Sequence, residues 1–370
     1  CSQDYLPFCG EGNQHTAMRP PVPVLLMALA MLFSSSHISG VVVQGLLYIA
    51  TMWVIYASLK EWDLRIGLLA ALFWVTSIAV IHEIDTDGGD MPAAFFFSVS
   101  LFYLQRIRQK GGLLNWLMAG LLFGLAALCR SVMLGLAGAL LVGLLWERRE
   151  QMRHGFLRAA TPVLLSLGAF GCVILPWAVH NQTVFGTSAV SGTLVGYNIY
   201  RMNYFLQESH YVPHYVGPDE ALRAVHSLIQ GSALRGTENE AQMQAFYASA
   251  GLQIIRSHPA GYVLLSIYRF LPLWFDISVH EAYGQKFGLL EGLEVVEQAF
   301  LLAAALLGAY LHRRQFWPLI LSVVLASAAY MAIDAQLRYL TDVMPAIVIL
   351  AASAFTLVDR RLSRAIPSNA

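Results

Sequence analysis

Long apolar stretches alternate with short polar ones along most of the chain. The apolar runs cover residues 22–36, 39–59, 66–82, 91–104, 113–129, 131–146, 159–179, 260–275, 293–311, 316–333 and 339–357. A membrane-crossing helix needs about 20 apolar residues, so runs of about 14 to 17 residues predict short or tilted helices. The pattern predicts an all-α polytopic membrane protein with about 9–11 transmembrane helices.

One polar segment, residues 181–258, interrupts this pattern and cannot cross a membrane. Its sequence predicts one helix that begins at Pro218 and a second from Glu238 to about His258, where Pro259 ends it. The chain is therefore divided into four parts. These are the end of a first extracytoplasmic loop (1–20), an N-terminal transmembrane module (21–180), an extracytoplasmic loop with short helices (181–258), and an interfacial helix with C-terminal transmembrane helices (259–370).

Composition agrees with a membrane protein. Of the 370 residues, 57% are hydrophobic and only 12% are charged, whereas soluble domains usually carry about 25% charged residues. The formal net charge is zero, which argues against nucleic acid as a partner. Membrane lipid is the expected surrounding.

Basic residues are clustered, and the clusters predict the orientation of the chain. Fourteen of the 23 basic residues form five groups, which are Lys60 with Arg65; Arg106, Arg108 and Lys110; Arg148, Arg149, Arg153 and Arg158; Arg313 with Arg314; and Arg360, Arg361 and Arg364. Short cytoplasmic loops collect Lys and Arg, so we place these groups inside. The acidic loop 82–90, the Arg130 junction, the segment 181–258 and the turn 334–338 then lie outside. This alternation requires that 260–275 lies in the interface without crossing.

The acidic loop contains four carboxylates within eight residues, Glu83, Asp85, Asp87 and Asp90. Such a cluster could supply a general base or hold a divalent metal, since hard cations prefer carboxylate oxygens. Asp85 and Asp87 form a weak candidate motif for Mg or Mn. The alternative is a solvated loop that separates two short helices.

Three arginines, Arg19, Arg130 and Arg338, lie at the edges of apolar runs. A cation at a membrane edge is costly unless it is paired or reaches the lipid headgroups. Guanidinium groups suit bidentate recognition of phosphate, so a lipid-borne phosphate would explain all three positions. The alternative is ion pairing between helices, for instance of Arg338 with Asp334 or Asp342.

A series of short motifs follows in a fixed order along the chain. They are Arg19-Pro-Pro, Gly89-Asp-Met-Pro-Ala-Ala-Phe-Phe, Ala127-Leu-Cys-Arg130, Pro176-Trp-Ala-Val-His-Asn181, Phe185-Gly, Gly196-Tyr-Asn-Ile-Tyr200, His258-Pro and Arg338-Tyr339 with Pro345. Together they resemble the GT-C fold glycosyltransferases of the dolichyl-phosphate-mannose protein mannosyltransferase superfamily, glycosyltransferase family 39-like, which includes the bacterial aminoarabinose lipid A transferases.

This resemblance implies an integral membrane enzyme that moves a sugar from a polyprenyl-phosphate donor to a glycan, lipid or protein acceptor. It implies that Arg19, Arg130 and the pair Arg338-Tyr339 bind the lipid phosphate. Asp90 matches the family's acidic residue in the second outer loop. The stretch from Phe185 to Tyr200 would shape the acceptor side, with Asn181, Tyr197, Asn198 and Tyr200 as candidates. The expected location is a bacterial inner membrane, with the active face extracytoplasmic.

The chain departs from the family pattern at its start. The family places its main catalytic base after a first span, about 30 residues before the Pro-Pro motif, so we expect this base upstream of Cys1; Asp4 is a poor substitute. The chemistry is consistent with the resemblance, because transfer from a sugar phosphate needs cations for the departing phosphate and a carboxylate for the acceptor hydroxyl. A single displacement would invert the anomeric centre. The competing hypothesis is a non-enzymatic flippase or transporter for the same lipid carriers, which would favour ionisable groups at mid-membrane.

Overall fold

The structure is a computed structural model that describes residues 17, 19–86, 88–149, 156–190, 192–234, 236–284 and 286–356, with only the backbone described in 156–159. These residues form 17 α-helices, three short 3-10 helices and no strand. The all-α polytopic class predicted from the sequence is confirmed.

The part of the described chain before residue 186 contains the following helices: α1 (Pro21–Met31), α2 (His37–Leu59), α3 (Leu64–Thr76), α4 (Ile78–His82), α5 (Asp90–Lys110), α6 (Leu113–Ala127), α7 (Val132–Glu147) and α8 (Phe156–Phe185). A 3-10 turn, Glu83–Asp85, follows α4 and carries part of the acidic loop.

We call the polar segment, residues 181–258, the cap. It contains α9 (Val195–Arg201), α10 (Pro218–Gln230) and α11 (Glu240–Ser257). The two helices predicted here are confirmed, and Asn239 and Gln242 form the capping box that begins α11. The cap has an apolar cluster of its own, in which Tyr200, Phe205, Val225 and Tyr247 are buried.

The C-terminal part begins with three short helices, α12 (Pro259–Tyr268), α13 (Phe270–Phe275) and α14 (Val279–Ala282). It ends with α15 (Leu289–His312), α16 (Trp317–Ile333) and α17 (Met344–Ser353), the last preceded by the 3-10 helix Leu337–Asp342. The run 260–275 is therefore split between α12 and α13, each too short to cross a membrane.

Three helical segments are long and apolar enough to cross a membrane, His37–Leu59, Ala160–Phe185 and Leu289–His312. The segments Leu64–Thr76 and Ile78–Asp85 form a pair bent by 54°. Shorter apolar helices of 10–17 residues make up much of the remainder, as the short apolar runs predicted. The number of 9–11 transmembrane helices remains a prediction.

The helix α17 lies at the centre of the fold, since all of its residues are buried. It packs against α3, α15 and α16, while α5, α6 and α8 pack side by side. Gly120 allows the close approach of α6 to α8, because a Cβ atom there would lie 2.1 Å from the carbonyl oxygen of Ser166. Because every residue of α17 is buried, the turn that precedes α17 is attached to a firmly packed helix.

Helix α5 connects two ends of the helical body that differ in charge. It begins at Asp90 and ends at Lys110, and its 21 residues span about 30 Å, roughly the thickness of the hydrocarbon core of a bilayer. Asp90 therefore lies one membrane thickness away from Arg108 and Lys110. This separation agrees with the opposite faces predicted for the acidic loop and the basic clusters.

Two side-chain contacts position the acidic loop at its end of the body. The Nε2 of Gln44 in α2 donates to the carbonyl oxygens of Thr86 (3.0 Å) and Gly88 (3.1 Å). At the break between α3 and α4, the N–H of Ile78 donates to Oε2 of Glu297 in α15 at 2.9 Å. A backbone donor that the break leaves unpaired is thus satisfied.

Candidate active site

Two turns meet at the end of the body where α5 begins. Gly89 packs against the turn that follows α6, where a Cβ atom on Gly89 would lie 2.7 Å from the carbonyl oxygen of Cys129. Only glycine permits this approach of two backbones. It brings Asp90, the first residue of α5, beside Arg130.

Arg130 lies between two buried carboxylates. Its Nη2 is 3.0 Å from Oδ1 of Asp90, and its Nε is 3.3 Å from Oδ2 of Asp342. The side chain of Arg130 is 23% exposed, whereas those of Asp90 and Asp342 are 4% and 0% exposed. We call Arg130, Asp90 and Asp342 the arginine centre, which has two carboxylates for one guanidinium group.

Two tyrosines form a wall beside the arginine centre. The guanidinium carbon of Arg130 lies 4.6 Å from the ring centroid of Tyr339 and 5.8 Å from that of Tyr330. The hydroxyl of Tyr330 donates to Oδ2 of Asp342. Arg338 lies over the same Tyr339 ring, at 5.3 Å, so one aromatic ring contacts both arginines.

Burial changes the ionisation of the arginine centre. Burial, together with the smaller effect of the Asp90 carboxylate, raises the pKa of Asp342 to about 7, against the opposing effect of Arg130. Burial by itself would lower the pKa of Arg130, but the attraction of Asp90 and Asp342 raises it well above its usual value. Arg130 therefore stays charged, while one of the carboxylates it pairs with is protonated more easily than usual.

Glu83 and Arg338 line a small cavity at the same end of the body as the arginine centre. This cavity has a volume of about 150 Å³, and its wall includes His82, Glu83, Asp276 and Arg338. Glu83 is only 4% exposed, and its Oε2 accepts a hydrogen bond of 2.9 Å from the hydroxyl of Thr86. The sequence candidates Glu83, Asp90, Arg130 and Arg338 are thus brought to one end of the molecule.

The two carboxylates that the sequence offered as partners of Arg338 pair with other arginines in the structure. Asp342 binds Arg130, and Asp334 binds Arg201 of the cap, with 2.7 Å between Nη2 and Oδ2. Asp334 also accepts hydrogen bonds from the hydroxyls of Tyr339 (3.0 Å) and Tyr215 (3.3 Å).

Sequence reasoning did not single out Arg201, although it directly follows the motif that ends at Tyr200. Through Asp334 and Tyr339, Arg201 connects the cap to the aromatic ring on which Arg130 lies. The available signal was a basic residue directly after a motif rich in tyrosine, but its acidic partner is 133 residues away in the chain.

Arg269, in the run 260–275 that the sequence placed in the membrane interface, is buried inside the protein. It lies between α12 and α13 and is only 1% exposed. Its guanidinium group donates to the carbonyl oxygens of Met202, Met331 and Ala332 and to Oδ1 of Asn203. It therefore joins the cap to the end of α16.

The acceptor-side candidates lie in or beside the cap. Asn181 is buried in α8, and its Nδ2 donates to the carbonyl oxygen of Ala189 at 2.7 Å. Oδ1 of Asn198 accepts from Nε of Arg201 at 3.0 Å. Tyr197 and Tyr200 both pack on the ring of Tyr247. These contacts shape the cap, and a role toward the acceptor remains a prediction.

The remaining candidates are Arg19 and two aspartates of the acidic loop, Asp85 and Asp87. Arg19 is held between the cap and the turn after α6, because the N–H of Ala17 donates to Glu240 and that of Val22 to the carbonyl oxygen of Leu128. The side chain of Asp85 is 83% exposed and lies 3.8 Å from His37. Asp87 lies outside the described residues.

No group of three or more His, Cys, Asp or Glu side chains in the described residues is arranged to hold a metal ion. Because Asp87 is not described, the weak Asp85 and Asp87 motif and a Mg or Mn requirement remain predictions. The described carboxylates Asp90 and Asp342 share a guanidinium group instead.

The fold and the site define a class: an all-helical membrane protein in which buried carboxylates and arginines converge at one end of the helical body. Residues 18–178 match the family model described as dolichyl-phosphate-mannose-protein mannosyltransferase. The match confirms the resemblance that the motifs indicated and supports a membrane glycosyltransferase of the GT-C type. Asp90 and Arg130 lie within the matched residues, whereas Arg201, Asp334 and Arg338 lie beyond them. No curated protein matches the chain.

Proposed function

We propose that this protein transfers a sugar from a polyprenyl-phosphate donor to the hydroxyl of a glycan, lipid or protein acceptor. The reaction takes place at the extracytoplasmic face, in a bacterial inner membrane, and inverts the anomeric carbon. The observation that carries this proposal is the arginine centre. It places one guanidinium group between two buried carboxylates at the end of α5 opposite the basic clusters.

Arg130 is the proposed binding group for the donor phosphate, with Arg338 and Arg19 as further cations. The phosphate competes with Asp90 for Nη2 of Arg130, because both are anions that accept from the same donor. Binding of the donor thereby releases Asp90 from its ion pair. The ring of Tyr339 contacts both Arg130 and Arg338.

The released carboxylate then acts on the acceptor. A carboxylate, Asp90 or the nearby Glu83, takes the proton of the acceptor hydroxyl, and the hydroxyl oxygen forms a bond to the anomeric carbon of the sugar. The bond between that carbon and the phosphate oxygen breaks, and its electron pair stays on the polyprenyl phosphate. Arg130 and Arg338 stabilise the negative charge that develops there.

The proposal is tested with the full-length protein in liposomes that contain a radiolabelled polyprenyl-phosphate sugar. We expect Asp90→Asn and Arg130→Gln each to lower sugar transfer at least about 100-fold, the usual effect of removing one group that contacts the reacting atoms. Glu61→Gln and Arg106→Gln are the matched controls, because both change a charge at the other end of the helical body. Unchanged turnover in both site variants would remove the assignment. Movement of intact donor across the bilayer without sugar transfer would support the flippase instead.

A further inference from the structure

A large cavity lies toward the opposite end of α5 from the arginine centre. It has a volume of about 490 Å³ and lies between α2, α5, α7, α16 and α17. Arg108, on its wall, is 18 residues from Asp90 along α5, or about 27 Å. This cavity therefore reaches the end of the body that carries the basic clusters, and its wall does not include Asp90, Arg130 or Asp342.

The cavity has an apolar interior. Ile55, Leu101, Leu144 and Ile349 lie on its wall, one or more turns inside the ends of their helices. Two hydroxyl groups on the wall are already satisfied on their own helices: Ser58 donates to Val54 at 2.7 Å, and Ser98 to Phe95 at 2.8 Å. The interior therefore makes no demand for a polar ligand and suits a hydrocarbon chain.

The rim of the cavity is polar and carries two arginines, Arg108 and Arg148. Arg108 is occupied, because it binds both carboxylate oxygens of Glu147 (2.9 and 3.1 Å) and the carbonyl oxygen of Gln315. Arg148 lies with its guanidinium carbon 4.9 Å from the ring centroid of Trp116. No carboxylate in the described residues is paired with Arg148. The rim therefore offers a positive charge beside an apolar interior.

We propose that this cavity binds a membrane lipid with an anionic phosphate headgroup. One hydrocarbon chain occupies the apolar interior, and the phosphate lies at the rim beside Arg148. The volume is within the range of about 300–1,000 Å³ that is typical of ligand pockets. A membrane lipid fits better than a soluble anion, because Trp146 on the same turn of α7 is 69% exposed, as expected of a residue at the membrane interface.

The site is tested on the full-length protein in phosphatidylcholine nanodiscs, with lysophosphatidic acid as the probe and native mass spectrometry as the readout. We expect one retained lysophosphatidic acid per chain. Arg148→Gln should weaken this binding about tenfold, equivalent to about 1.4 kcal/mol. Arg106→Gln is the matched control, because Arg106 also lies over an aromatic ring, that of Phe102, but is not on the cavity wall.

A second variant tests the interior. Ser58→Phe fills the cavity and should abolish retention of both lysophosphatidic acid and lysophosphatidylcholine. Because Arg148→Gln changes only the rim, it tests the proposal even where the larger side chain prevents folding. Equal loss in Arg106→Gln, unchanged binding in a folded Ser58→Phe, or displacement of the probe by inorganic phosphate would each overturn the proposal. Loss of sugar transfer in Asp90→Asn with normal retention of the lipid would show that the two sites are independent.

Discussion

Two arginines at opposite ends of the helical body, Arg130 and Arg108, differ in the environment of their partners. Both side chains are 23% exposed. The carboxylates that pair with Arg130 are 4% and 0% exposed, whereas the one that pairs with Arg108 is 36% exposed. Removing Arg130 would leave two buried acids without a cation, but removing Arg108 leaves an acid that water can reach. The burial of the partner, more than that of the arginine, decides what each ion pair contributes.

The largest effect is expected from Arg130→Gln. Losing the cation of a buried ion pair typically costs about 3–5 kcal/mol, because an uncompensated charge remains. Thermal unfolding in detergent should show a large decrease in stability, together with the loss of sugar transfer predicted above. In the double variant with Asp342→Asn, stability should partly return while transfer does not. Wild-type stability of the single variant would contradict the arginine centre.

The next largest effect is expected from removal of the ion pair between Arg201 and Asp334, which connects the cap to the arginine centre. Arg201→Gln leaves Asp334 buried without its cation, and Asp334 is only 3% exposed. We expect a loss of about 3 kcal/mol of stability. We also expect a smaller decrease in transfer, about tenfold, because Arg201 no longer holds Asp334, the carboxylate that accepts the hydrogen bond of Tyr339. Arg223→Gln, on an exposed part of the cap, is the control. Normal stability together with normal transfer would show that the link does not position Tyr339.

The pH dependence of stability should report on Asp342. Burial raises its pKa to about 7 in the folded protein, so between about pH 4 and pH 7 the folded state keeps a proton that the unfolded state has lost. Stability should therefore fall as the pH rises through this window, by at most about 1.4 kcal/mol per pH unit. Asp342→Asn should make the dependence shallower without removing it, because burial also raises the pKa of Glu83 to about 7. Unfolding temperatures measured from pH 4.5 to 8 check this, and a wild-type curve that rises over the same range would reverse the sign.

The smallest effect is expected from Arg108→Gln. The partner Glu147 is accessible to water, so the loss of this ion pair should cost no more than about 1 kcal/mol. Sugar transfer should stay normal, because Arg108 is about 27 Å from Asp90 along α5. Unfolding temperature and transfer rate are both measured. A loss as large as that of Arg130→Gln would remove the distinction between the two ends.

Much of the fold followed from local patterns in the chain. Apolar runs predicted the helices, and Pro218 and Pro259 predicted boundaries in the polar segment that the structure confirms. The basic clusters predicted that Asp90 and Arg108 lie at different ends. These features depend on neighbouring residues, so a single sequence contains them.

Local patterns did not indicate which carboxylate pairs with which arginine in the candidate site. Asp342 was considered only as a partner for Arg338, yet it binds Arg130, 212 residues away in the chain. Similarly, the sequence placed the run 260–275 in the membrane interface but did not indicate that Arg269 within it is buried against the cap.

The sequence by itself determined that this is a helical membrane protein with acidic and basic ends, because hydropathy and charge are properties of each segment. Only the tertiary structure decided which carboxylate meets which arginine and how deeply each is buried. Both depend on how α5, α6 and α17 pack, and that packing joins residues that the chain keeps far apart.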